Sequence, residues 1–245
     1  MLEKIGFTAD DKLFLVGDYV DRGPDSYKML RWLEGRPDNV VPVCGNHDIE
    51  FAYYIDFMRQ VDEECKLGTD YQSTSDSIAL YDTTKYLIKQ TKPGFAALFD
   101  LYGTVGKLLS EHSVSLSELN HWADMIRAMP YYQLLTVNNR PHVIVHAGYR
   151  PNGFTNEEKA QEFYLYSRSE AYKDGGIPGG CIIAGHTPTI AVGEFVYSNG
   201  RAFKHRQEAI DCDFYNIDCG CVFRERSANA CLACIRLEDH ALFYV

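Results

Sequence analysis

Four short apolar runs recur along the chain, and each is cut off at once by glycine and a side chain able to hold a metal. They are "KLFLVGD" (12–18), "VVPVCGNHD" (40–48), "HVIVHAG" (142–148) and "CIIAGHTP" (181–188). Unbroken aliphatic and β-branched runs of this length read as strands buried on both faces. Between the first two, Tyr27, Leu30 and Leu33 of "SYKMLRWLEG" fall near helical spacing. The pattern predicts a βαβ arrangement whose polar strand ends lie where open α/β sheets bind ligands.

From Ile49 to Met129 the period changes. Phe51, Tyr54, Ile55, Met58 and Val61 predict an amphipathic helix. Ser115 and Glu118 form a capping-box pattern ahead of the stripe Leu119, Trp122, Ala123 and Ile126. Residues 50–129 therefore read as a helical insertion in a single domain covering 1–245. The C-terminal third, with "GEFVYSNGRAFKH" and "DFYNIDCGCVF", shows hairpin-like alternation and a turn signal at Ser198-Asn199-Gly200.

Composition narrows the function classes. With 245 residues, 46% of them hydrophobic, the chain can bury a sizeable core. A net charge of −10 argues against a nucleic-acid-binding surface. It leaves room for a small phosphorylated substrate, because a bound cation reverses the field locally. No run is apolar enough to span a membrane and the N-terminus has no signal core, which places the chain in the cytoplasm with its eight cysteines reduced. The "CLAC" at 231–234 invites a zinc reading, but in an alternating strand positions i and i+3 face opposite ways, so buried apolar cysteines are the better reading.

Taken singly, a histidine at a strand end says little. Asp18, Asn46, His146 and His186 at four such ends offer a mixed oxygen and nitrogen shell suited to Mn²⁺, Fe or Zn²⁺. The ordered motifs "GDYVDRGPDS", "GNHD", "HAG" and "GHTP", with "YLYSRSE" (164–170) more loosely, resemble the calcineurin-like metallophosphoesterase superfamily. They are most similar to its phosphoprotein phosphatase branch, which includes bacterial and phage serine/threonine phosphatases and symmetrical diadenosine-tetraphosphate hydrolases. "YNIDCGCVF" resembles the segment that follows the last motif.

The resemblance implies an α/β/β/α sandwich with two central mixed sheets, and a metal-activated hydroxide that hydrolyses phosphomonoesters of proteins or small molecules. It makes Asp18 the carboxylate shared by two divalent ions, Mn²⁺ before Fe or Zn²⁺, with Asn46, His146 and His186 completing one ion's shell. His47 would be the general acid, Asp21 its partner, and Arg22 and Arg168 the phosphate clamp. Gly17, Gly45, Gly148 and Gly185 would let the backbone approach the ions. The alternatives are a dinucleoside-tetraphosphate hydrolase and a non-catalytic phosphate- or metal-binding relative.

Two departures bear on this. Cys44 stands where several relatives have arginine. Relatives also carry an upstream strand ending in "GDxHG", whereas 17 residues precede Asp18 here and none is histidine. The expectation is a missing first strand, with the sequence starting at an internal methionine, or a one-metal or inactive variant. A substitute ligand from His205, His112 or His121 is the third possibility. On this reading a single ion is retained and activity is reduced.

Overall fold

The computed structural model describes residues 1–191 and 193–245, with the side chains of 193 and 194 also set aside. The described residues divide into two compact units, one formed by Met1–Asp18, Pro37–Asn46 and Met129–Val245, the other by Tyr19–Arg36 and His47–Ala128.

The first unit holds every strand among the described residues. The runs singled out above become β1 (Leu13–Leu15), β2 (Val40–Pro42), β4 (Arg140–Val145) and β5 (Cys181–Ala184), joined by β3 (Tyr132–Val137), β6 (Phe203–Gln207), β7 (Cys212–Asn216), β8 (Ala233–Ile235) and β9 (Leu242–Tyr244). β1 and β2 pair in parallel. A five-stranded mixed sheet runs β3-β4-β5-β7-β6, parallel at β4-β5-β7 and antiparallel at both edges, and β8 pairs with β9. The class is mixed α/β, as expected.

Alternation along the central strands sorts their side chains onto two faces. Val143, Val145, Ile182, Ala184 and Phe214 pack on one side with Tyr149 from the loop after β4 and with Ala171 and Tyr172 from a short helix. Ile144, Cys181, Ile183 and Tyr215 pack on the other with Phe14, Val16, Leu237 and Leu242. The short parallel pair and the C-terminal hairpin thus cover one face of the large sheet, and helices cover the other.

One sequence expectation fails in this unit. "GEFVYS" is not the first arm of a hairpin: Gly193–Ser198 is a 3₁₀ helix, and the strand begins only at Phe203. Gly200, just past the Ser198-Asn199 turn, sits so close to the backbone oxygen of Asn229 that a Cβ would lie 2.1 Å from it. The chain is held there by packing, which alternation does not encode. The Cys231 and Cys234 thiols reach separate carbonyls, of Gly200 and Ile235, and none of the eight cysteines is in a disulfide.

The second unit is helical: Ser26–Glu34, Asn46–Cys65 (its first residue belonging to the other unit), Thr74–Thr91, Pro93–Ala96, Thr104–His112 and Leu116–Arg127. The reciprocal capping box of Ser115 and Glu118 is present, and Leu119, Trp122, Ala123 and Ile126 form the buried stripe behind it. Phe51, Ile55, Met58 and Val61 are buried along the longest helix. No helix is long and apolar enough to cross a membrane.

Candidate metal centre and acid–base group

In the first unit, chain reversals after four parallel strands bring four side chains together. His146 follows β4 directly and His186 lies two residues beyond β5, while Asp18 and Asn46 follow β1 and β2. Oδ1 of Asn46 is 3.1 Å from Nε2 of His146 and 3.0 Å from Nδ1 of His186, and those two nitrogens are 3.1 Å apart. Oδ1 of Asp18 is 3.4 Å from the same His146 nitrogen.

The protonation of His146 decides what such a cluster can do. Its Nδ1 lies 2.7 Å from the carbonyl oxygen of Val16. A carbonyl only accepts, so Nδ1 carries the proton and the Nε2 of the neutral ring presents a lone pair. That lone pair faces the amide oxygen of Asn46 and the carboxylate of Asp18, both acceptors. Acceptors gathered against one another repel unless a cation or protons lie among them, and a ligating histidine fixed through its other nitrogen is the usual arrangement. Asp18, His146 and His186 place one ligand atom each within 4.8 Å of one another. The donor set fits a divalent ion with oxygen and imidazole ligands.

The backbone is bent to achieve this. Asp18 and His186 both adopt left-handed conformations, with φ of 63° and 68°. Non-glycine residues enter that region rarely and at a cost. Gly17 is required as glycine: at φ 93°, a Cβ would lie 2.7 Å from both the Gly45 backbone and Nδ1 of His146. Gly148 has a different role from the one expected of it. A Cβ there would lie 2.9 Å from Cα of Ala171, so its smallness serves helix packing. Arg168 is exposed, with its guanidinium donating to the hydroxyl of Thr187 at 3.2 Å, beside His186 in sequence.

In the second unit, His47 and Asp21 form a buried pair. Nδ1 of His47 donates to Oδ2 of Asp21 at 2.8 Å, and the other carboxylate oxygen accepts from the hydroxyl of Thr104 at 2.5 Å. The Arg22 guanidinium contacts Nε2 of His47 and lies 5.0 Å above the ring of Tyr102, which meets His47 edge-on. Asp21 and Arg22 are again left-handed, at 68° and 50°. Asp100 steadies the Thr104 end by accepting the backbone N–H groups of Val105 and Gly106 and the hydroxyl of Tyr81. Burial pushes the Asp100 carboxyl above the ordinary carboxylate range against those hydrogen bonds. Asp48, silent in the sequence reading, accepts the backbone N–H of Tyr19 at 2.8 Å.

Thr104, Tyr102 and the Val16 carbonyl were not visible as site groups. Thr104 stands 83 positions from Asp21, within an insertion whose pattern reports helices only. A carbonyl carries no residue-type signal at all.

An α/β scaffold with a cluster of side chains able to hold an ion beyond the ends of its parallel strands is the arrangement of a metal-binding catalytic class. The model of the calcineurin-like phosphoesterase family matches residues 1–219, and the chain belongs to that family. Phosphoester hydrolysis with divalent metals is the chemistry of that family. Among curated proteins, the symmetrical bis(5'-nucleosyl)-tetraphosphatase of Cellvibrio japonicus is 48% identical over 62 residues, 24% of this chain and 23% of that protein. The enzyme of the same name from Nitrosomonas europaea is 54% identical over 50 residues, 20% and 19% of the two chains. The matched stretch thus spans less than a quarter of either relative. A crystal structure provisionally described as a diadenosine tetraphosphatase aligns with all of this chain and 84% of its own, at 16% identity and a TM-score of 0.49, a likeness too loose to carry an argument.

Proposed function

We propose that this chain is a metal-dependent phosphohydrolase and that its substrate is a dinucleoside tetraphosphate. The cluster of Asp18, Asn46, His146 and His186, with the His146 lone pair fixed by Val16, carries the reading. These residues would hold the ion, Mn²⁺ before Fe or Zn²⁺. Such an ion, when bound, makes water a nucleophile near neutral pH and polarises a phosphoryl oxygen.

The remaining roles fall to residues of this chain. His47, next to Asn46 in sequence, protonates the leaving oxygen from Nε2, and Asp21 holds the opposite edge of the ring through Nδ1. Thr104 keeps Asp21 in place. Arg22 exchanges its contact with His47 for the phosphoryl oxygens, freeing Nε2 for its proton. Arg168 offers a second clamp.

The dinucleotide reading, in preference to phosphoproteins, rests on a cleft of about 460 Å³ in the first unit. Arg150, Phe154, Lys159, Phe163 and Tyr166 are among its lining residues. The Arg150 guanidinium lies 4.4 Å over Phe154 and 5.0 Å over Phe163, and the ring of Tyr166 meets that of His186 edge-on. Aromatic faces beside cations suit a base and its attached phosphates. The tetraphosphatase activity for which the Cellvibrio and Nitrosomonas relatives are named supports the same choice.

Rates on diadenosine tetraphosphate, p-nitrophenyl phosphate and a phosphopeptide, with Mn²⁺ and with chelator, test both parts. Hydrolysis that needs the ion and favours the dinucleotide is the expected result. Activity on none of the three by folded, metal-loaded protein overturns the phosphohydrolase reading, and preference for the phosphopeptide overturns the substrate. Phe163→Ala removes one stacking face, worth about 1–3 kcal/mol per base. The dinucleotide kcat/KM should fall roughly 5- to 150-fold on that scale, while the p-nitrophenyl phosphate rate stays unchanged.

A further inference from the structure

β4 and β5 pair in parallel with His142 opposite Cys181. Both side chains are buried, at 2% and 0% exposure, and Cys181 belongs to the face covered by the C-terminal hairpin. The hairpin's turn carries His240, held in a left-handed conformation at φ 57°. There its Nε2 lies 3.2 Å from Nε2 of His142, and its Nδ1 lies 3.3 Å from the hydroxyl of Tyr215. The Cys181 sulfur completes a trio whose ligand atoms all lie within 4.8 Å of one another.

We propose that His142, Cys181 and His240 form a second metal site, of the zinc type, which fastens the C-terminal hairpin to the large sheet. Three observations converge on it. Nδ1 of His142 donates to the carbonyl of Arg140 at 3.0 Å, which leaves Nε2 as a lone pair directed at the trio. Each ring therefore has its far nitrogen hydrogen-bonded, His142 to a backbone carbonyl and His240 to a tyrosine oxygen, as metal-ligating histidines do. The spacing is also apt. Zinc bonds of about 2.0–2.3 Å in a tetrahedron set ligand atoms roughly 3.3–3.7 Å apart; the two imidazole nitrogens stand close to that range at 3.2 Å, and with all ligand atoms within 4.8 Å of one another the thiol needs to close by at most about 1 Å.

One sulfur and two imidazoles select zinc over magnesium or manganese, and the partly exposed edge of His240 leaves the fourth position to water. Burial pushes the Cys181 thiol up to about 12, so the sulfur is protonated before the ion arrives. Binding breaks that S–H bond, forms the sulfur–metal bond and releases the proton to solvent. This trio sits at the start of β4, whereas His146 follows its end. Four residue steps along the strand separate the two histidines by about 13 Å.

A plain N–H···N bond between the two imidazoles, with an idle thiol beside it, is the competing arrangement. Cobalt separates them, because a thiolate ligand gives a sulfur-to-cobalt charge-transfer band and the Asp18 cluster contains no sulfur. Titrating the full chain with Co²⁺ should produce that band at one equivalent beyond any ion held by the first cluster. Cys181→Ser should abolish it, His240→Ala should abolish or strongly weaken it, and Asp18→Asn should leave it intact. Tyr215→Phe, which loses the support of His240, should weaken cobalt binding about 10- to 100-fold. Absence of the band in the wild-type chain, or its survival in the His240→Ala and Cys181→Ser proteins, overturns the proposal. If Cys181→Ser fails to fold, His240→Ala alone decides, since that residue lies in a turn and is partly exposed.

Discussion

His47→Ala lowers kcat on a phosphoester with a poor leaving group by about 10²- to 10⁴-fold, the range in which a positioned general acid contributes. The same substitution has a much smaller effect with p-nitrophenyl phosphate, whose leaving group departs as a stable anion and needs little protonation. This contrast distinguishes loss of an acid from loss of the fold. Nδ1 of His47 is committed to Asp21 and Asp21 to Thr104, so the acid role falls to Nε2, once Arg22 gives up its contact there. Equal losses on both substrates in the kinetic comparison would point to a positioning role and remove His47 as the acid.

Trp122→Ala costs about 3–5 kcal/mol of stability, the range for emptying a large buried aromatic site. Trp122 is fully buried at the centre of the helical unit. Its ring meets Tyr27 edge-on with centroids 6.1 Å apart, and the Arg31 guanidinium lies 5.0 Å from it. Two helices lose a shared contact if it goes: Leu116–Arg127, which carries it, and Ser26–Glu34, which bears Tyr27 and Arg31. Domains have only about 5–15 kcal/mol to spare, so the cost is a large share. Urea unfolding followed by far-UV circular dichroism measures it, and a loss below about 1 kcal/mol would mean the site collapses around the gap.

The strands and the clustering of the strand-end side chains were legible because burial on both faces demands continuous apolar runs, and because polar residues immediately after such runs can only sit at strand ends. Asp18, Asn46, His146 and His186 are brought together on that basis. The Ser115 capping box was equally plain, since its logic is local. What escaped depended on distance or on packing. Thr104 reaches Asp21 across the length of the helical insertion, and His240 meets His142 across 98 positions. No spacing rule connects such pairs. The 3₁₀ helix at Gly193–Ser198 defeated the strand reading because close packing around Gly200 overrode alternation.

The left-handed backbones of Asp18 and His186 have a consequence for how the protein tolerates change. Each holds a side-chain-bearing residue where glycine would rest more easily, at a cost of order 1–3 kcal/mol. Replacing either with glycine removes a proposed ligand and relieves that cost at once. An inert Asp18→Gly, His186→Gly chain should therefore melt at a higher temperature than the wild type when both are stripped of metal, and a lower melting temperature would count against stored strain. Robustness and the side-chain cluster thus make opposite demands on these two positions.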